Sequence, residues 1–162
     1  MRRLSLGKDV RSHHIRRYMQ EAGYRRAVCF SCGNAADALR RAGVDVLEVG
    51  PRGRLLAGGW WTVGEIRRAW PEHFDATSGH LSVSLMLAIG AEFRSALGDL
   101  GSEELVVPCG SGETLVCLAL AYAGEATFVA EYDCSRPETM YDPEAPLVPL
   151  VRALAGEVRI LR

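Results

Sequence analysis

Lysine is nearly missing from this chain, which carries eighteen arginines and a single lysine, Lys8. Any step that needs a primary side-chain amine is therefore confined to residue 8, because a guanidinium cannot supply one. Long apolar runs are also lacking. No stretch approaches the roughly 20 apolar residues that a membrane span needs, and no apolar signal core follows Arg2 and Arg3. We therefore expect a cytoplasmic protein without a membrane partner. Aromatic residues make up only 7% of the chain and do not interleave with the arginines, so a nucleic-acid partner is not expected. The five cysteines are odd in number and scattered, which reads as reduced, buried thiols and not as a disulfide framework. Cys29-x-x-Cys32 has no second such pair, and the adjacent His13 and His14 point to different faces of a helix, so no metal is expected.

With 162 residues, 48% of them hydrophobic, and no linker-like composition shift, the chain can bury one sizeable core, and a single domain over 1–162 is expected. The net charge of −1 hides an asymmetry. Arginines crowd the first third, the last third is acidic, and the basic side reads either as a solvated helix face or as an attraction for an anionic partner.

Apolar periodicity and breakers predict helices over 9–22, 35–42, 62–70, about 80–96, 114–122 and 148–155. Strands are predicted over 26–30, 44–49, 74–77, 105–108, 126–132 and 157–161. Thr62, with Glu65 three residues on, has the spacing of a capping box. Strands alternating with helices imply an α/β fold, three-layered, with a mostly parallel sheet and helices on both faces.

Three strand-to-helix turns share a small, polar, glycine-containing character: Ser31-Cys32-Gly33-Asn34, Thr77-Ser78-Gly79-His80 and Gly110-Ser111-Gly112-Glu113. Turns at the carboxyl ends of parallel strands are where such sheets bind ligands, since free backbone N–H groups and the helix dipole favour an anion. Gly110, Ser111, Gly112, Glu113 and Thr114 make the strongest candidate. Glycine lets the backbone approach phosphate oxygens, and the Ser111 and Thr114 hydroxyls can donate to them. The expected ligand is a small molecule bearing a phosphate; the competing reading is a tight structural turn.

The segment Val106-Val107-Pro108-Cys109-Gly110-Ser111-Gly112-Glu113-Thr114-Leu115 resembles the phosphate cup of the fold type II pyridoxal-phosphate enzymes, the tryptophan synthase β-subunit-like family. Two further stretches share the likeness in the same order. Lys8-Asp9 leads a helix, and Val28-Cys29-Phe30-Ser31-Cys32-Gly33-Asn34 is followed by a helix, Gly43-Val44 and a strand ending at Gly50-Pro51. The resemblance implies pyridoxal phosphate as cofactor, with Lys8 as the amine that forms the internal aldimine and Asn34 bonded to the ring's phenolic oxygen. It further implies that residues 110–114 hold the phosphate and that Ser31, Cys32 and Gly33 offer N–H groups to a substrate carboxylate. Ser78, Gly79 and His80 join the substrate side. The implied chemistry is β-elimination or replacement on a small amino acid, by a lyase or transferase. The chain is much shorter than the family usually is, and Glu113 stands where the family usually has glycine. A homodimer is expected, because so short an architecture would otherwise leave its cleft poorly covered.

Other residues carry alternatives. Cys32 at a helix start could have a lowered pKa, or Cys29 and Cys32 are simply buried. His73 or His80 could act as a general base, or be half-buried polar residues. Trp60 and Trp61 could stack on a flat ligand or pack. Glu131, Tyr132 and Asp133 could bind a ribose or an amine, or face water, and Cys134 and Ser135 could face a pyridine nitrogen. The alternative function is a phosphate- or nucleotide-binding α/β protein without pyridoxal phosphate, either a transferase or a ligand-binding module.

Overall fold

The computed structural model describes residues 1–5, 7–30, 34–50, 61–109, 112–132 and 157–161, and the side chains of all of these except Tyr132 and residues 157–161. The fold is α/β, and among the described residues every strand pairing is parallel. The strands fall into two sheets, and the chain divides into two compact units, one of residues 1–7 with 82–162 and the other of residues 8–81.

The second of these units is built on a three-stranded sheet. In chain order it contains α1 (Gly7–Ala22, of which all but Gly7 belongs here), β2 (Ala27–Phe30), α2 (Asn34–Arg41), β3 (Val46–Val49), α3 (Val63–Ala69) and β4 (Phe74–Asp75). The strand order is β3-β2-β4, and β2, buried at all four positions, is the centre. A strand whose two faces are both buried must be apolar throughout, which Ala27-Val28-Cys29-Phe30 satisfies. Ile66 from α3 packs on Val28 and Phe30, and Leu47, Val49, Trp61 and Trp70 border that cluster. The Trp61 and Trp70 rings meet edge to face at 5.4 Å, and Trp61 Nε1–H donates to the Gly50 carbonyl at 2.9 Å, so Trp61 packs. The predicted cap of α3 forms: the Thr62 hydroxyl accepts from Glu65 N–H at 3.2 Å.

The other unit holds β1 (Arg2–Arg3), α4 (Val83–Leu97), β5 (Glu104–Cys109), α5 (Glu113–Tyr122), β6 (Thr127–Tyr132) and β7 (Glu157–Leu161), in a sheet ordered β1-β5-β6-β7. Leu105, Val106 and Val107 on β5 and Phe128, Val129 and Ala130 on β6 are buried. Helix α5 is buried nearly all round, from Leu115 through Ala119 and again at Tyr122, as a helix covered by both a sheet and another helix must be. Its partner is α4, and the two approach so closely that a Cβ at Gly90 would overlap the carbonyl oxygen of Cys117. Arg94 ties the C-terminal ends of the two helices together. It donates to the Ala121 carbonyl and to Glu125, each at 2.7 Å, and lies 5.0 Å from the centre of the Tyr122 ring. Among the described residues, no helix is long and apolar enough to cross a membrane.

Strand β1 escapes a reading by apolar pattern, since it consists of two exposed arginines. It is held by its register with Leu105 and Val106 and by Leu4 N–H donating to the Val106 carbonyl at 2.8 Å. The predicted helix over 148–155 and the loop over 52–59 lie outside the described residues.

Candidate functional site

The glycine-rich turn follows β5, whose neighbours are β1 and β6. The connection from β5 runs through α5 to β6, while the chain leaving β1 goes elsewhere, so the carboxyl ends of β1 and β5 border a point where the connections diverge. Open parallel sheets place their ligand crevices at such points. Gly110 and Ser111 lie outside the described residues. Gly112 is the N-cap of α5, with φ 87°, a left-handed conformation natural to glycine, and it makes no side-chain capping hydrogen bond. Glu113, the first residue of α5, is 2% exposed, and Thr114 follows it half-buried. A Cβ placed on Gly7 would stand 3.3 Å from Thr114 Cγ2 and 3.2 Å from Leu4 Cδ2, so the chain leaving β1 runs directly beside the first turn of α5.

Cys109 ends β5 immediately before the turn. Its thiol donates to the Val107 carbonyl at 3.3 Å, and burial pushes its pKa up to about 12, which keeps it protonated and inert. Glu131, at the end of β6, accepts from Arg3 Nη1 at 2.6 Å. Its carboxylate therefore already has a cationic partner.

A second polar group forms at the carboxyl ends of β2 and β4. The Asp75 Oδ2 atom accepts from His80 Nδ1–H at 2.8 Å, and Oδ1 accepts from Thr77 N–H at 3.0 Å. The Thr77 hydroxyl oxygen accepts from Phe30 N–H at 3.0 Å, taking over the strand ladder where β4 ends. His80 N–H closes the turn on the Thr77 carbonyl at 3.0 Å, with Gly79 at φ 90°, the glycine-favouring third position of such a turn. Burial raises the Asp75 pKa, but hydrogen bonds from His80 and from the side chain and backbone of Thr77, together with the charge of His80, outweigh it. The net result holds the carboxyl below its ordinary value. Arg11 reaches in from α1, 4% exposed, and donates to the Ala76 carbonyl at 2.8 Å.

Of the sequence-predicted residues, Gly112, Glu113 and Thr114 stand together at the start of α5. Lys8 is exposed in the first turn of α1, and Asn34 is the exposed first residue of α2. Ser78, Gly79 and His80 form the turn on Thr77 just described. Ser31, Cys32, Gly33, Trp60, Asp133, Cys134 and Ser135 lie outside the described residues. Cys29 is fully buried within β2, as a strand thiol should be. Asp75 and Arg11 were not among the residues expected from the sequence, and Thr77 was expected only as the first residue of its turn. Asp75-x-Thr77 at a strand end was a readable signal, whereas a buried arginine in a helix of exposed arginines left none.

Compared with the models of known protein families and with curated proteins, the chain matches none.

Proposed function

We propose that the turn at residues 110–114 binds the phosphate of a small molecule, and that this molecule is pyridoxal phosphate, attached through Lys8. The observation that carries the reading is the start of α5. Gly112 lacks a capping side chain, and the first-turn amides of a helix attract an anion both by hydrogen bonding and through the helix dipole. The residue types suit a phosphate: glycine has no side chain to hold an anion off the backbone, and Thr114 brings a hydroxyl.

Pyridoxal phosphate, when bound, supplies an electron sink for reactions at the carbons of an amino acid. The chain's own part is to hold the phosphate at residues 110–114, to present the only side-chain primary amine at residue 8, and to orient the ring through Asn34. The substrate carboxylate falls to Ser31, Cys32 and Gly33. The buried carboxylate of Glu113 favours a second reading, a phosphate- or nucleotide-binding protein without this cofactor, because it stands where the family resemblance calls for glycine. The protein is proposed to work in the cytoplasm as a homodimer.

Calorimetric titration with pyridoxal phosphate, pyridoxal and inorganic phosphate tests the proposal. Pyridoxal phosphate is expected to bind, pyridoxal to bind at least about tenfold more weakly, a loss of about 1.4 kcal/mol, and phosphate to compete. Equal affinity for pyridoxal and its phosphate would remove the phosphate site. Binding of phosphate or nucleotides with no preference for pyridoxal phosphate would favour the second reading.

A further inference from the structure

We propose that Asp75 and His80 form an acid–base pair, in which Asp75 fixes the imidazole through Nδ1–H and Nε2 accepts a proton from a hydroxyl, water included, at the carboxyl ends of β2 and β4. The inference is independent of the phosphate reading. Its basis is the cost of the arrangement. A carboxylate 6% exposed at its side chain has been taken out of water, which is unfavourable unless its oxygens are hydrogen-bonded. Both are: Thr77 N–H holds Oδ1 and the imidazole holds Oδ2 at 2.8 Å.

Because Asp75 is acceptor-only when ionised, a neutral imidazole facing it carries its proton on Nδ1, which leaves a lone pair on Nε2. Among the described residues nothing hydrogen-bonds to Nε2, and the His80 side chain keeps 15% of its exposure. Thr77 also prevents Asp75 from turning away, since its backbone holds the carboxylate while its side chain is pinned to Phe30 N–H. The location suits chemistry. The connection from β2 leads to β3 on one side while β4 lies on the other, so the ends of β2 and β4 border a divergence of connections.

Asp75 is a positioning residue and His80 the group that moves the proton. With water and an activated ester, Nε2 takes a proton from water as the water oxygen adds to the carbonyl carbon. The bond from that carbon to the leaving oxygen then breaks, and the imidazolium, stabilised by Asp75, returns its proton to solvent.

The probe is 4-nitrophenyl acetate, hydrolysed without phosphate or cofactor, so a failure here leaves phosphate binding untouched. The native protein is expected to release 4-nitrophenolate at least about tenfold faster than His80→Gln. Asp75→Asn should lose a similar factor, because an amide donates to Nδ1 and drives the imidazole proton onto Nε2. A native rate equal to that of His80→Gln, or an Asp75→Asn rate equal to native, would overturn the proposal. Should a variant fail to fold, the tautomer in the native protein decides. Nitrogen NMR of labelled histidine is expected to show His80 protonated at Nδ1 and bare at Nε2, and the opposite tautomer would overturn the assignment.

Discussion

Adding one methyl group at Gly90 tests the packing of α4 on α5 more sharply than any larger change. A Cβ there would overlap the Cys117 carbonyl oxygen and lie 3.1 Å from the carbonyl carbon and 3.2 Å from the Ala121 Cβ. Carbon–oxygen contacts between neighbouring backbones settle at about 3.3 Å, so the helices must separate by roughly an ångström. The obstacle is backbone in the interior of a helix and cannot swing aside as a side-chain end would. Overpacking of this kind costs about 1–3 kcal/mol, and the rigid obstacle argues for the upper end. Replacing glycine by alanine within a helix returns about 1 kcal/mol. The net expectation for Gly90→Ala is a loss of about 2 kcal/mol, read by urea denaturation followed by circular dichroism. Gly64→Ala is the matched control, the same substitution in α3 with nothing within 4 Å of the new Cβ. It should be neutral or stabilising by up to about 1 kcal/mol. If both variants are equally stable, or Gly90→Ala is the more stable, the close approach of α4 and α5 is refuted.

Three other outcomes follow from named groups. Ser12 is 1% exposed and its hydroxyl finds no partner among the described residues, so Ser12→Ala should raise stability in the same assay by about 1 kcal/mol; a comparable loss would mean the hydroxyl is bonded after all. The Asp75 pKa is lowered on folding, so its contribution to stability is present above the unfolded carboxyl value, about 4, and disappears as pH falls through the lower folded value. Asp75→Asn should therefore flatten the acid limb of a stability–pH curve, and an unchanged acid limb would contradict the depressed pKa. The Cys109 thiol, pushed up to about 12 by burial, should resist iodoacetamide at pH near 8 and react only once the chain is unfolded, as peptide mass spectrometry would show; rapid labelling of the native protein would refute its burial.

What could be read from the sequence was what local pattern controls. The apolar run at residues 27–30, the Thr62 and Glu65 cap and the alternation of strands with helices specify α/β parallel pairing, because burial on both faces and capping leave direct traces in residue type. The division of the strands between two sheets left no trace, since pairing partners far apart in the chain are chosen by packing and not by local periodicity. Strand β1 was invisible for a related reason: Arg2 and Arg3 pair with β5 through the backbone and are exposed, so no apolar pattern marks them. At the site, glycine marked the turn before α5, and Gly112 indeed adopts the left-handed conformation only glycine takes freely. His80 could be singled out as a possible base, but its partnership with Asp75 was not legible, because Asp75 alone reads as an ordinary polar residue in a short strand.

The most direct test of the account is to incubate the native protein with pyridoxal phosphate, reduce it with borohydride and map the labelled peptide, with inorganic phosphate as competitor. The two kinds of primary amine in the chain, Lys8 and the N-terminus, make the map decisive. Label is expected on Lys8, diminished by phosphate and by substitution of the turn at Gly112. Label confined to the N-terminal amine, or label on Lys8 that phosphate does not diminish, would contradict it.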